Sequence, residues 1–319
     1  MPSGFNLSAG THDDNAFFEA SAAEDMFAAD VERMIANWNV NTIRININSS
    51  VNPNIWIDGE LDRVIGLLTD HGIVAMIENH PYGTGLDPTA GQIQTTVNGF
   101  RTLARRWKNN PCVWFNPYNE PGGKLNVSTY HVNSASVTND DAWVDWHTPV
   151  IDAIRAESNA VVVLDDTHFG QGRAGNNYNP DHSAILAYGE RLNVAYDNLL
   201  YSIHFYDRWG GNSADMRSFI DAAHAKGLTL VVGETGGHPT EGPWYTQNYW
   251  PTSQALYAMA PRGVGILLWH ANVRYTSGMS VGINFGQRVP VWDVTERSQT
   301  EASGRLHWDW AHNLPSARP

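Results

Sequence analysis

The sequence predicts an α/β fold, a (β/α)8 (TIM) barrel running as one domain over residues 1–319, and three observations predict it. Short apolar runs alternate with longer amphipathic stretches. The alternation repeats at roughly the ~30-residue period of a βα unit. Eight such runs in 319 residues match the strand count and size of this barrel. An open doubly wound sheet usually has fewer strands and a glycine-rich first turn, and the first turn here, LSAGTHDDN, lacks that fingerprint.

The predicted strands lie at 4–8, 42–47, 73–78, 112–116, 161–165, 200–205, 229–233 and 264–269. They are short and apolar on both faces, as parallel strands covered by helices must be. Helices are expected over 23–38 and 58–72, where Met26, Val31, Met34, Ile35 and Trp38, then Leu61, Val64, Ile65 and Leu68, recur every three or four residues. The stretches 97–111, 143–158, 213–227 and 253–263 follow the same plan. The polar tail, 300–319, carries LHWDW, which reads as a closing helix packed back on the barrel.

Composition narrows the function. A net charge of −13 argues against nucleic acid or an anionic membrane as partner. No apolar run approaches the ~20 residues of a membrane span. Thirteen tryptophans suit either a Trp-rich core or flat platforms for sugar rings. Cys112 stands alone, so no disulfide framework is expected, and its place before an apolar run suggests a buried structural thiol. The first residues, MPSGFNLSAG, have neither a basic nor an apolar signal-peptide region, which leaves the compartment open.

In such a barrel the chemistry lies at the C-terminal strand ends. Polar and aromatic residues collect there: Arg44, Asn46 and Asn48; Glu78, Asn79 and His80; Asn119 and Glu120; Asp165, Asp166 and His168; His204 and Tyr206; Glu234; Trp269, His270 and Asn272. Glu120 follows the fourth strand and Glu234 the seventh, which stand roughly opposite each other. A carboxylate pair about 5–5.5 Å apart is what a retaining glycosidase needs, one to protonate the leaving oxygen and one to attack the anomeric carbon.

The motifs NPYNEP (116–121) and VVGETGG (231–237) resemble the fourth- and seventh-strand signatures of glycoside hydrolase family 5. The stretches NTIRINI, IVAMIENH, YSIHFYD and GILLWH resemble the family's other strand motifs in the same order, and VVVLDDTHFGQG is closest in pattern to bacterial β-1,4-mannanases. The resemblance implies Glu120 as acid/base and Glu234 as nucleophile. Asn119 would bond the sugar's 2-hydroxyl, Arg44 and Tyr206 would hold and ionise the nucleophile, and Trp269 would underlie the sugar. His80 and His204 would line the site, with His168 and Phe169 supporting substrate binding. It implies a secreted, monomeric endo-enzyme on a β-1,4-linked polysaccharide, mannan first, with an endo-β-1,4-glucanase as the alternative, and no cofactor or metal. A non-catalytic carbohydrate-binding barrel is the rival of another class, which the intact Arg44, Asn119, Glu120, His204 and Glu234 oppose. The sequence departs from the family's pattern at Phe169, where the mannanase group commonly has tryptophan, at Thr235, and at the PYGTG after His80.

Other signals carry less. GMSVG (278–282) fits a nucleophile-elbow pattern but lacks its strand–turn–helix setting. His307 and His312 are five apart, not at the i, i+4 zinc spacing. Asp13, Asp14 or Asp181 could hold a calcium ion, and the sequons at Asn6, Asn48 and Asn126 read as chance.

Overall fold

The computed structural model describes residues 1–7, 26–50, 52–80, 87–122, 142–173, 180–240, 247, 249–259, 263–271, 283–284 and 287–314. Eight parallel strands close into a barrel in sequence order: β1 (Ser3–Leu7), β2 (Thr42–Ile47), β3 (Val74–Asn79), β4 (Val113–Asn116), β5 (Val162–Asp165), β6 (Leu199–Phe205), β7 (Leu230–Thr235) and β8 (Gly265–Leu268). Strand β1 closes the ring, pairing Phe5 with Ile43 of β2 on one side and Leu268 of β8 on the other.

The helices are α1 (Ala28–Trp38), α2 (Gly59–Asp70), α3 (Ala90–Trp107), α4 (Ala142–Arg155), α5 (Ala184–Ala195), α6 (Ser213–Ala225), α7 (Trp250–Met259) and α8 (Ala302–His312). Helix α3 starts well before the expected residue 97. A reciprocal cap sets its start: the Thr89 hydroxyl accepts from the Gln92 amide at 3.3 Å, and the Gln92 side-chain oxygen accepts from the Thr89 amide at 2.8 Å. Its first turns are polar and exposed, so no apolar periodicity marks them. Helix α5 is absent from the sequence reading. Ser183 caps it by accepting from the Leu186 amide at 3.1 Å, and the Asp166 carboxylate accepts from the Ala184 amide at 2.8 Å. Burial pushes the Asp166 carboxyl up to about 6 against these bonds, and the residue is a helix cap.

Helix α8 is the expected closing helix. Trp38 and Trp308 meet edge-to-face at 4.7 Å, and His307 Nδ1 lies 2.9 Å from the Tyr257 hydroxyl. Cys112 is only half-buried; it stands one residue before β4, where its carbonyl accepts from the Ala75 amide of β3 at 2.8 Å. The GMSVG segment, Asp13, Asp14 and the Asp181 side chain lie outside the described residues.

The barrel interior has two unlike layers. Met76, Val163, Leu200, Val231 and Leu267 fill the N-terminal half as one apolar cluster. Two residues further along their strands, on the same face, stand buried Glu78, Asp165 and Ser202. The outer faces stay apolar and pack on the helices. The strands are thus apolar on both faces for only part of their length.

Strand β7 extends past its expected end, because it carries a bulge. The register shifts between Ile203 and His204, so that Ile203 pairs with Val232 and His204 with Glu234. Gly233 is the extra residue. A Cβ there would fall 2.2 Å from the Ser202 hydroxyl and 3.0 Å from His204 Nε2, so only glycine fits. Glu234 therefore lies within the strand rather than after it.

Candidate active site

Arg44 organises the polar layer. It is fully buried, and each of its five N–H donors has a partner. Nε donates to Asn116 Oδ1 at 2.9 Å. Nη1 donates to Asn6 Oδ1 at 2.9 Å and Glu234 Oε1 at 2.7 Å. Nη2 donates to Asn119 Oδ1 at 2.9 Å and Asp165 Oδ2 at 3.1 Å. Burial disfavours the guanidinium charge, but Glu78, Asp165 and Glu234 outweigh it and hold Arg44 protonated.

Asp165 ties this layer to Glu120. Its carboxylate accepts from Asn116 Nδ2 at 3.1 Å and from the Glu120 backbone amide at 3.1 Å. Burial opposes its ionisation, yet Arg44 and His204 hold it well below the usual carboxylate range. Glu120 itself sits just past β4 with φ at 45°, a left-handed conformation rare for a residue with a side chain. Such strain costs about 1–3 kcal/mol and clusters at functional sites.

The Glu120 side chain meets His204, whose Nδ1 lies 2.8 Å from Oε1. Gly170 backs this contact. Its carbonyl accepts from the His204 amide at 2.7 Å, and a Cβ on it would fall 2.6 Å from His204 Nδ1 and 3.1 Å from Glu120 Cγ. Burial raises the Glu120 carboxyl and Glu234 raises it further, against the opposing hydrogen bond from His204. Burial also opposes charge on His204, but Glu234 and Asp165 prevail and lift it to about 10.

Glu234 accepts on both oxygens, from Arg44 on Oε1 and from the Tyr206 hydroxyl on Oε2 at 3.1 Å. Burial and the Glu234 charge push the Tyr206 phenol well up, so it stays a donor. His204 Nδ1 is also 3.6 Å from Glu234 Oε2. Ligating atoms of Glu120, His204 and Glu234 all lie within 4.8 Å of one another, the one group of this kind among the described residues. Arg44, 2.7 Å from Glu234, already supplies positive charge there, which disfavours a cation.

Further out, Trp269, Tyr206 and the half-buried Tyr249 form an aromatic wall. Trp269 stands 5.6 Å from the His80 ring. His80 Nδ1 lies 3.1 Å from Glu78 Oε2, and its Nε2 is 3.4 Å from Asn119 Nδ2. His168 and Phe169 both take left-handed φ angles, 56° and 62°, in the turn after β5. The His168 ring faces His182 at 6.0 Å, and Arg208 lies over the Phe169 ring at 4.8 Å.

The structure gathers Arg44, Asn119, Glu120, His204, Tyr206 and Glu234 into one bonded set and joins His80 to it through Asn119. Trp269 abuts His80, while His168 and Phe169 connect to the set through the Gly170 turn. Sequence reasoning assigned no role to Asn6, Glu78, Asn116 or Asp165. Their signal is a polar residue at an inward position of an otherwise apolar strand.

A family model described as cellulase (glycosyl hydrolase family 5) matches residues 9–274. A mannan endo-1,4-beta-mannosidase from Streptomyces lividans is 26% identical over 240 residues, which cover 74% of this chain and 55% of the relative. The chain thus spans about half the length of that curated relative. Among solved structures, the catalytic domain of a Thermobifida fusca endoglucanase superposes with a TM-score of 0.70 at 16% identity, covering 98% of this chain and 92% of that one. A beta-mannanase from Streptomyces thermolilacinus gives 0.63 at 20% identity, covering 92% and 87%. Both likenesses show the barrel fold. Among the described residues no helix is long and apolar enough to cross a membrane. With the family model matched across most of its length, the chain belongs to glycoside hydrolase family 5.

Proposed function

We propose that the protein is a retaining endo-glycosidase that cleaves a β-1,4-linked polysaccharide outside the cell, with mannan as the substrate, and that residues 1–319 act as one monomeric catalytic domain. The observation that carries this reading is the juxtaposition of Glu120 and Glu234, with carboxylate oxygens within 4.8 Å. That closeness suits the ~5–5.5 Å carboxyl spacing of retaining enzymes, and not the ~6.5–9.5 Å that leaves room for water in inverting ones.

The two environments divide the roles. Glu120, raised by burial, is the proton donor. Glu234, met on both oxygens by the Arg44 guanidinium and the Tyr206 phenol, is the nucleophile. In the first step a Glu234 oxygen bonds to the anomeric carbon while the bond to the leaving oxygen breaks, and Glu120 gives that oxygen its proton. In the second step Glu120 takes a proton from water. The water oxygen bonds to the anomeric carbon, the Glu234–carbon bond breaks, and the configuration is retained. Trp269 supports the glycone ring, and the Asn119 amide and His80 meet its hydroxyls.

Mannan is favoured by the name of the Streptomyces lividans relative. The second reading, an endo-β-1,4-glucanase, is favoured by the family model's description. Mannose and glucose differ in the orientation of one hydroxyl. A panel of mannan, glucomannan, carboxymethyl cellulose, barley glucan and xylan with product sizing separates the two. Glu120→Gln and Glu234→Gln should each abolish hydrolysis in folded protein, and wild-type turnover in either variant would overturn the roles. Azide should rescue Glu234→Ala on an activated substrate as the α-glycosyl azide.

A further inference from the structure

Glu78 has no part in the two-carboxylate chemistry, yet it is fully buried beside it. One of its oxygens, Oε2, takes all its described contacts: a hydrogen bond from Asn46 Nδ2, His80 Nδ1 at 3.1 Å, and Arg44 Nη1 at 3.5 Å. A carboxylate on Nδ1 fixes both the ring orientation and the tautomer of a histidine, and so decides what its other nitrogen presents. Here the other nitrogen, Nε2, lies 3.4 Å from Asn119 Nδ2. Asn119 is oriented in the same manner. Its Oδ1 accepts from Arg44 Nη2 at 2.9 Å, which turns its NH2 toward His80.

We propose that Glu78 is a positioning residue that, together with Arg44, aims two side-chain nitrogens, His80 Nε2 and Asn119 Nδ2, at one hydroxyl of the glycone sugar. An Arg–Glu pair set behind the site orients the two first contacts, each ion holding the far side of one donor. A hydroxyl oxygen has two lone pairs and can accept from both nitrogens at once. The burial of His80 opposes its protonation, but Glu78 and then Glu234 outweigh it, against Arg44. A protonated His80 presents Nε2–H beside Asn119 Nδ2–H, two donors that a sugar oxygen between them would satisfy. The inference rests on the glycosidase reading above, with its sugar bound at Glu120 and Glu234.

The test is a substrate–variant cycle. Aryl β-glycosides lacking the 2-hydroxyl or the 3-hydroxyl are compared with the parent glycoside on the wild-type protein and on Glu78→Gln. One of the two deoxygenations should slow the wild type strongly, and its penalty in kcat/KM should shrink at least tenfold in Glu78→Gln. Equal penalties in both proteins would overturn the proposal, as would an unchanged kcat/KM for the parent. Glu78→Asp, which keeps the charge but withdraws it by one methylene, serves if Glu78→Gln does not fold, and should also shrink the penalty. A second readout needs no turnover. Nitrogen-15 NMR of the substrate-free wild type should show neutral His80 protonated on Nδ1, with its titration point lowered in the Glu78 variants. Protonation on Nε2 instead, or an unmoved titration, would overturn the proposal. Failure of the glycosidase reading would appear separately, as turnover surviving Glu120→Gln or Glu234→Gln.

Discussion

His204 Nδ1 lies 2.8 Å from Glu120 and 3.6 Å from Glu234, so a single imidazole spans both carboxylates, with Asp165 3.3 Å from its other nitrogen. Three acidic groups around one buried ring explain why it holds its proton up to about 10. A group whose folded pKa lies above its unfolded value adds stability below the unfolded value, ~6.5 for histidine, and loses it as pH rises through the folded value. Unfolding free energy measured in urea should therefore fall between about pH 6.5 and pH 10. The slope should flatten in His204→Gln, and an unchanged slope would show that His204 is not the group responsible.

Arg44→Lys keeps the charge but offers three donors where five are used. Of Asn6, Asn116, Asn119, Asp165 and Glu234, at least two acceptors lose their bond. Each buried acceptor left unsatisfied costs about 1–3 kcal/mol. Thermal unfolding should show the loss, and kcat should fall by at least about 10²-fold, as on removing a donor that stabilises the transition state.

Gly170→Ala tests the turn behind the acid. Its φ of +67° is strained for alanine, and the new methyl would strike His204 Nδ1 and crowd Glu120 Cγ. The expected outcome is a stability cost of about 1–3 kcal/mol and a loss of kcat larger than any change in KM. Alanine at the exposed turn glycine Gly227, where φ is +70° and a Cβ meets nothing within 4 Å, should show only the stability cost.

Phe169 and Arg208 give a prediction about the leaving-group side. Phe169 precedes Gly170, which packs on Glu120, and Arg208 covers its ring at 4.8 Å. Phe169→Ala should raise KM for the polysaccharide several-fold. It should leave an aryl glycoside, which places no sugar on that side, within about twofold. Equal effects on both substrates would place Phe169 elsewhere.

The strands were legible because each is a short apolar run, and the strand-end rule then placed Glu120, His204 and Trp269 without any coordinates. Helix α5 was not. Its stretch from Ala184 to Ala195 mixes apolar residues with Gly189, and its start is set by Asp166 and Ser183, whose capping role depends on a turn the sequence does not display. Asp165, Asn116 and Glu78 were visible as polar residues near strand ends. Nothing in the chain reveals that all of them converge with Arg44, because that convergence comes from closure of the ring. The sequence also gives no cue that Gly233 is a bulge, so Glu234 read as a residue after the strand.

That bulge sets the parity of strand β7. In a regular strand the residues sharing the face of Val231 are 233 and 235, and Glu234 would point outward into the helices. One extra residue reverses odd and even from that point on. The place of Glu234 at the site is thus a matter of counting as much as of chemistry. A chain that kept Gly233 but paired it in regular register would keep every residue proposed here for catalysis and would turn its nucleophile away from the sugar.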